Sequence, residues 1–592
     1  MNWTQIINPL NNIGLSALVA VLPILFIFWA LIIKKMKGYQ ASLLAIAIAV
    51  MIAILVYGMP VKLALLSAAN GALYGLFPIC WIVITAVFLF NITVESGQFE
   101  IIKHFMASIT SDRRLQALLI AFSFGSFLEG TAGFGAPVAI TAAMLVGLGF
   151  NPLYAAGICL IANTAPVAFG AIGIPITVAS QVTSIPEMAI SQMVGRTLPL
   201  LSILLPFYLV ALMSGYKKTM EILPAVLVSG CSFALIQWLS SNYLGPALPD
   251  VIAGIGSILC LIVFLKFWKP KSIWRFSNEP APTVNTDITY STSQIIRAWS
   301  PFILLTIMII AWGMQPVKEL FNAVGQIQFE FPGLHNMISD RNGKAIPHIF
   351  KFNYLSASGT AILLSAIISI PLIGLKFGDG LRIFIKTLQQ LKFPVITIAA
   401  VLGFAYIVND SGITITMAEA LANTGFLFPF FAPVLGWLGV FITGSDTSAN
   451  ALFGKLQAAT ATSIGVDPVV TVAANVSGGV VGKMISPQSI AVAAAAGHLV
   501  GKESELFRFT VKHSFFMLLF ICFIVLSQAY LLKWLIPRYQ LIGSQTVAAV
   551  PGFTKGYACL ATLTVVLVAF AAAVMSMARK KIQTASSRHI HR

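Results

Sequence analysis

Charge is what this chain has least of. Asp, Glu, Lys and Arg make up 9% of its 592 residues, hydrophobic residues make up 58%, and the mean hydropathy is +0.91. A soluble domain of this size would expose more apolar surface than water tolerates, so the composition predicts an all-α polytopic membrane protein. Acid is scarcer still, with 19 Asp and Glu against 36 Lys and Arg and a net charge of +17. In a soluble chain that excess would suggest nucleic acid. Here the basic residues stand in short blocks between apolar runs, as in cytoplasmic loops, so the partner is the lipid bilayer and not nucleic acid. Cysteine is sparse: Cys80, Cys159, Cys231, Cys260, Cys522 and Cys559 lie within or beside apolar runs with no CxxC pair. That pattern excludes a disulfide framework and a thiolate metal site, and reads as small packing residues. No polar stretch is long enough for an enzymatic domain, and no metal-ligand cluster or nucleophile triad is visible, so no cofactor is expected. No cleavable leader is needed, because residues 14–33 already form a span.

The basic blocks set the orientation. Lys34, Lys35 and Lys37 directly follow the first span, which places the N-terminus outside. Spans near 41–57 and 71–93 return the chain to the inside at Lys103, Arg113 and Arg114. Later blocks at Lys217 and Lys218, 266–275, 376–392 and from Arg579 are joined by paired spans, 221–240 with 250–268 and 298–314 with 355–374, so they share one side. The stretch 269–296, with Pro270, Pro280 and Pro282, reads as a cytoplasmic linker, and the loop 315–350 as external. A pair of spans at 512–536 and 556–577 leads to a basic tail, expected to be cytoplasmic and to meet anionic headgroups. About 12–14 transmembrane segments follow from this reading.

Two stretches carry the same breakers and amides inside apolar sequence. The first holds Phe127-Leu-Glu-Gly-Thr131, Asn151-Pro152, Ala162-Asn163, Gly170 and Pro175; the second holds Phe441-Ile-Thr-Gly-Ser445, Asp467-Pro468, Ala474-Asn475, Gly482 and Pro487. With the orientation above, the first crosses from inside to outside and the second from outside to inside. Inverted repeats of broken helices or re-entrant hairpins are how many carriers build a site within the membrane. The chain then divides into N-terminal spans (1–115), a first repeat core (116–213), a span pair with the linker (214–297), spans with the external loop (298–410), a second repeat core (411–501) and C-terminal spans with the tail (502–592).

Within these cores a few polar residues can carry chemistry. Glu129 precedes Gly130, Gly133, Gly135 and Pro137; an acid in apolar sequence must be protonated, paired or turned to an aqueous cavity. It is a candidate for proton coupling, with a structural hydrogen bond as the alternative. Gly444-Ser-Asp-Thr-Ser-Ala-Asn450 packs three hydroxyls, an acid and an amide into seven residues. Asp446 is open to two roles, proton carrier or helix N-cap. Lys483, after Gly478, Gly479 and Gly482, is expected beside an unwound glycine-rich segment, where it would bind an anion or serve as counter-ion to Asp446 or Glu129. The run is not a phosphate-binding loop: it is one residue short, and Met484 stands where Ser or Thr is required. Arg196 is a second possible anion contact. Lys455 either snorkels or pairs with an acid, and Asp410, His498 and His513 are expected at membrane boundaries.

At these motifs the chain resembles the lactate permease family of bacterial inner-membrane carriers. The likeness is carried by Glu129-Gly-Thr-Ala-Gly-Phe-Gly-Ala-Pro-Val-Ala-Ile140, Asn163-Thr-Ala-Pro-Val-Ala-Phe-Gly-Ala171, Gly444-Ser-Asp-Thr-Ser-Ala-Asn-Ala-Leu-Phe453 and Gly482-Lys-Met-Ile-Ser-Pro-Gln-Ser489, and extends from Leu15 to about Pro537. The resemblance implies uptake of L-lactate, often also D-lactate and glycolate, in symport with a proton. Lys483, Ser445, Thr447, Asn450, Asn163, Asn475, Gly130 and Ser486 supply the chemistry that a small 2-hydroxy monocarboxylate needs, and Glu129 or Asp446 that of a coupled proton. The residues alone also fit a sodium-coupled carboxylate carrier or a cation/proton antiporter on a related scaffold.

Overall fold

Backbone amides and carbonyls have no water to bond in a bilayer core, so an apolar chain satisfies them within helices. The computed structural model describes residues 2–542 apart from 35, 134, 277–289, 500 and 501, and it is helical throughout its apolar runs. Among the described residues, 11 helices are long and apolar enough to cross a membrane, or 12 with the bent pair Pro152–Ala162 and Val167–Thr183, which meet at 63°. The expected last span at 556–577 and the basic tail lie outside the described residues. Of the cysteines described, Cys80, Cys159 and Cys522 are buried, as packing residues would be, whereas Cys231 and Cys260 are exposed.

Polar contacts mark two ends of this bundle. At one end the N-terminus is tied to the loop expected outside: Trp3–Thr4 pairs in parallel with Ile338–Ser339, and the strands Ile327–Glu330 and Ile349–Phe352 pair antiparallel beside it. The Gln5 amide donates to the carbonyls of Asn409 and Asp410 at 3.0 and 2.9 Å, and His348 Nε2 lies 3.1 Å from the Asp410 carboxylate. At the other end the basic blocks converge. Arg114, fully buried, donates to Asp112 at 2.7 Å, to Glu221 at 3.0 Å, and to the carbonyls of Lys218 and Ser272 at 2.8 and 2.9 Å. A buried guanidinium is tolerable only when its donors are so matched.

Two helical hairpins enter from these opposite ends. The first rises through Arg113–Gln116, Ala117–Phe124 and Gly125–Thr131, turns at Gly133 and Gly135, both with positive φ, and returns as Ala136–Gly147. Its start and its finish meet the same segment: the Arg113 amide donates to Trp274 O at 3.2 Å, and the Phe150 ring packs 5.4 Å from Phe276. The second descends as Phe428–Thr443, turns at Gly444 (φ 71°) and returns as Asp446–Ser463. Just before and just after it, Phe426 O accepts from Tyr530 at 2.9 Å and Asp467 accepts from Tyr539 at 2.7 Å. Helix Glu503–Tyr530 runs from near Phe276, where Phe509 and Tyr154 touch, to that far end. Each hairpin thus starts and stops on one side, and the sides differ.

One expectation fails here. Gly478, Gly479 and Gly482 do not unwind the chain: Pro468–Lys483 is a continuous helix, interrupted only at 484–486 before Pro487–Ala496. Helix Phe428–Thr443 crosses it backbone to backbone. A Cβ on Gly436 would lie 1.9 Å from Asn475 O, one on Gly478 2.0 Å from Pro433 O, and one on Gly482 2.4 Å from Trp437 O. These glycines allow close packing between helices rather than a break. In the first core the break is real, with positive φ at Ala171, Ile172 and Gly173.

Candidate functional site

The hairpin turns meet in the interior and enclose a cavity together with the interrupted helix of each core. Glu129, Gly133 and Gly135 line it from the first hairpin, Ser445, Asp446 and Thr447 from the second, and Gly170, Lys483, Gln488 and Ser489 from the interrupted helices. Its central contact joins the two cores: Lys483 Nζ stands 2.5 Å from Glu129 Oε1, with side chains 11% and 3% exposed. Gly170 makes room for this carboxylate, since a Cβ there would come 2.7 Å from Glu129 Oε1.

The pairing leaves acid in excess. Glu129 Oε2 and both carboxylate oxygens of Asp446 are buried without a hydrogen-bond partner. Asp446 is not a cap. Ser445 takes that place, its hydroxyl accepting from Ser448 N at 3.3 Å, and Asp446 is the first helical residue, with Oδ1 2.2 Å from where a Cβ on Gly479 would stand. The sequence could not tell these two neighbours apart, because either side chain can cap.

Helix N-termini add positive potential. Ala136–Gly147, Asp446–Ser463 and Pro487–Ala496 all begin at the cavity wall, so the positive ends of three helix dipoles lie there. Ser486 caps the last of these, accepting from Ser489 N at 3.2 Å. One ammonium and three helix starts form a setting for a small carboxylate, and Thr447, Gln488 and Ser489 supply groups for a neighbouring hydroxyl.

Of the residues singled out from sequence, Glu129, Asp446, Lys483, Ser445 and Thr447 come together here. The others stand behind the wall or away from it. Asn475 donates to Asn450 Oδ1 at 2.8 Å and accepts from Gln457 at 3.2 Å, while Asn450 donates to Pro175 O at 3.2 Å. These fully buried amides tie helix to helix. Asn163 ends helix Pro152–Ala162 with an unpartnered Oδ1. Gly130 faces Asp250 and Val251, and Ser486 is a cap. Arg196 bonds Asn242 at 2.8 Å and Leu535 O at 2.6 Å, at the end where the N-terminus lies. His513 contacts the Tyr208 hydroxyl. Gly170, Gln488 and Ser489 on the wall stand in the repeat and motif stretches of the sequence without a site role there, and Asp250 behind the wall is in neither. Asp250 left one signal, a lone acid near the start of an apolar run.

Comparison with known proteins brings this arrangement into a family. A family model described as L-lactate permease matches residues 16–532. The chain is 57% identical over 563 residues to the L-lactate permease of Bacillus subtilis (strain 168), covering 91% of this chain and 100% of that protein. It is 52% identical over 555 residues to the glycolate permease GlcA of Escherichia coli (strain K12), covering 90% and 98%. To the L-lactate permease of the same organism it is 52% identical over 548 residues, covering 90% and 100%. Among solved structures, the YdaH transporter of Alcanivorax borkumensis aligns with 79% of this chain and 88% of its own at a TM-score of 0.43 and 13% identity.

Proposed function

The chain belongs to the L-lactate permease family, and from that membership we propose that it carries L-lactate, with D-lactate and glycolate, across the bacterial inner membrane in symport with a proton. It is a permease and not an enzyme. The N-terminus and the 315–350 loop face the periplasm in this reading, and the end that gathers Arg114 and Lys218 faces the cytoplasm, in line with the placing of the basic blocks. The two hairpins and their interrupted helices are an inverted pair about an axis in the membrane plane, which their opposite directions of entry support.

The observation that carries the mechanism is the Lys483–Glu129 contact across the hairpin turns. A substrate carboxylate reaching Lys483 competes with Glu129 for the ammonium. Glu129, buried and deprived of its counter-ion, then takes up a proton, because an unpaired carboxylate in such a site costs several kcal/mol. Anion and proton enter the site together by this exchange. Release of the substrate returns Glu129 to Lys483 and frees the proton. Ser445, Thr447, Gln488 and Ser489 position the substrate hydroxyl, and helix N-termini share its carboxylate charge.

Uptake of labelled lactate into proteoliposomes, with a pH gradient and a sodium gradient imposed separately, tests this reading. The pH gradient alone should drive accumulation. Accumulation driven only by sodium would replace the proton with sodium as the coupling ion.

A further inference from the structure

Asp250 is a carboxyl that, among the described residues, neither lines the cavity nor enters an ion pair. It is the second residue of helix Pro249–Phe267 and is 1% exposed. Its Oδ2 has no partner, and Oδ1 meets only the Gln237 amide, at 3.5 Å. The same amide donates to Ala165 O at 3.2 Å. The start of this helix is pressed against the first hairpin at the residue after Glu129: a Cβ on Gly130 would come 2.8 Å from Asp250 Cβ and 2.9 Å from the Val251 amide nitrogen. Only a glycine at 130 lets the start of this helix pack so closely on the hairpin, one residue from Glu129.

The charges that act on Asp250 are those of Glu129 on the hairpin and Lys483 on helix Pro468–Lys483, and the same two act on Asp446. Three buried carboxyls thus share the influence of one ammonium, whose ion pair is with Glu129. Asp446 opens on the cavity and Asp250 does not. Glu129 and Asp250 each keep a buried oxygen without a partner, on two elements packed together at Gly130, and a single proton held between two such groups satisfies both.

We propose that Asp250 is the second carboxyl of a proton-holding pair with Glu129, and that it exchanges the transported proton with Glu129 out of contact with the cavity. The proposal rests on the reading of Glu129 as the residue that takes up the coupling proton. When substrate occupies Lys483, an O–H bond on Asp250 breaks and one on Glu129 forms. Asp250 then regains a proton from water at the end of the bundle where the preceding Tyr243 and Leu244 are exposed.

Asp250→Asn keeps shape and hydrogen-bonding capacity but cannot pass a proton. In proteoliposomes it should retain lactate–lactate exchange, lose pH-driven accumulation by about tenfold or more, and show a displaced profile of accumulation against pH; Asp250→Glu should restore part of the loss. Wild-type accumulation with an unmoved profile overturns the proposal. So does loss of exchange together with accumulation, which assigns Asp250 to folding. Glu129→Gln, measured in parallel, separates the underlying reading. If it still accumulates lactate uphill, Glu129 does not carry the proton, and the pairing falls with it whatever Asp250→Asn does.

Discussion

Replacing Lys483 by Met keeps the length and apolar stem of the side chain and removes its charge. Among the described residues that ammonium has one salt-bridge partner, Glu129 Oε1 at 2.5 Å, and both groups are largely withdrawn from water. Taking away one member of a buried pair costs about 3–5 kcal/mol if the other stays ionised. Glu129 avoids that cost by holding a proton, so insertion and folding should survive, and Glu129→Gln combined with Lys483→Met should be no less stable than Lys483→Met alone. Binding has no such escape. A hydrogen bond to a charged group contributes about 1.5–3 kcal/mol net, so the apparent KM for lactate should rise roughly 10- to 150-fold. Initial rates of labelled lactate uptake over a concentration series, normalised to protein in the membrane fraction, measure this directly. An unchanged KM would refute the reasoning: the charge would then serve Glu129 alone, and the helix N-termini would hold the carboxylate unaided.

Glu129→Gln should abolish uphill accumulation yet keep lactate–lactate exchange; Asp446→Asn, measured with it, moves the coupling role to Asp446 if it alone loses accumulation. Gly478→Val puts a side chain 2.0 Å from Pro433 O and should lower the yield of folded protein, by an overpacking cost of about 1–3 kcal/mol or more, whereas Gly378→Ala, with nothing within 4 Å, should be silent by thermal melting in detergent. Burial opposes the His348 imidazolium, but the adjacent Asp410 carboxylate and hydrogen bonds to Asp410 and Ile346 outweigh it and raise its pKa above the ordinary 6.5. The contact is therefore fully present below 6.5 and is lost as pH rises through the higher folded value, so the protection of amides in residues 338–352, exchange being corrected for its intrinsic rise with pH, should fall with alkalinity in the wild type and not in His348→Gln.

What the sequence disclosed follows from what each residue type can do by itself. Gly133, Gly135 and Pro487 stand where the helices are interrupted, two at positive φ and one at a helix start, places that suit these residue types. Glu129 and Lys483 were candidates because charge in apolar sequence needs a reason; that they reach each other was not legible, since 354 residues separate them. Gly478 and Gly482 misled for a related cause. A glycine that bends a backbone and one that admits a neighbouring backbone look alike until the neighbour is placed, and the neighbours here are Pro433 and Trp437. Asn450 and Asn475 likewise suit a ligand or each other equally well. Asp250 escaped because an acid in the first turn of a helix is ordinary. Only the close approach of Gly130 sets it beside the site.

The placement of this cavity follows from how the chain is interrupted. A helix that crossed without a break would turn its end groups to water at the membrane surface. A hairpin that stops in the interior brings those groups to the middle, and here three helix starts and one ammonium converge on the wall. That positive potential faces two carboxyls on the same wall, Glu129 and Asp446, and Lys483 pairs with the first. Glu129 is attached to the first hairpin, while Lys483 belongs to the second core. The resting contact thus holds the two cores together, and a substrate carboxylate can replace it without leaving the ammonium unpaired. In the proposed symport the carboxylate it displaces is the one left to bind a proton. If a single lysine serves both acids in this way, binding substrate and binding a proton become one event with no other link between them.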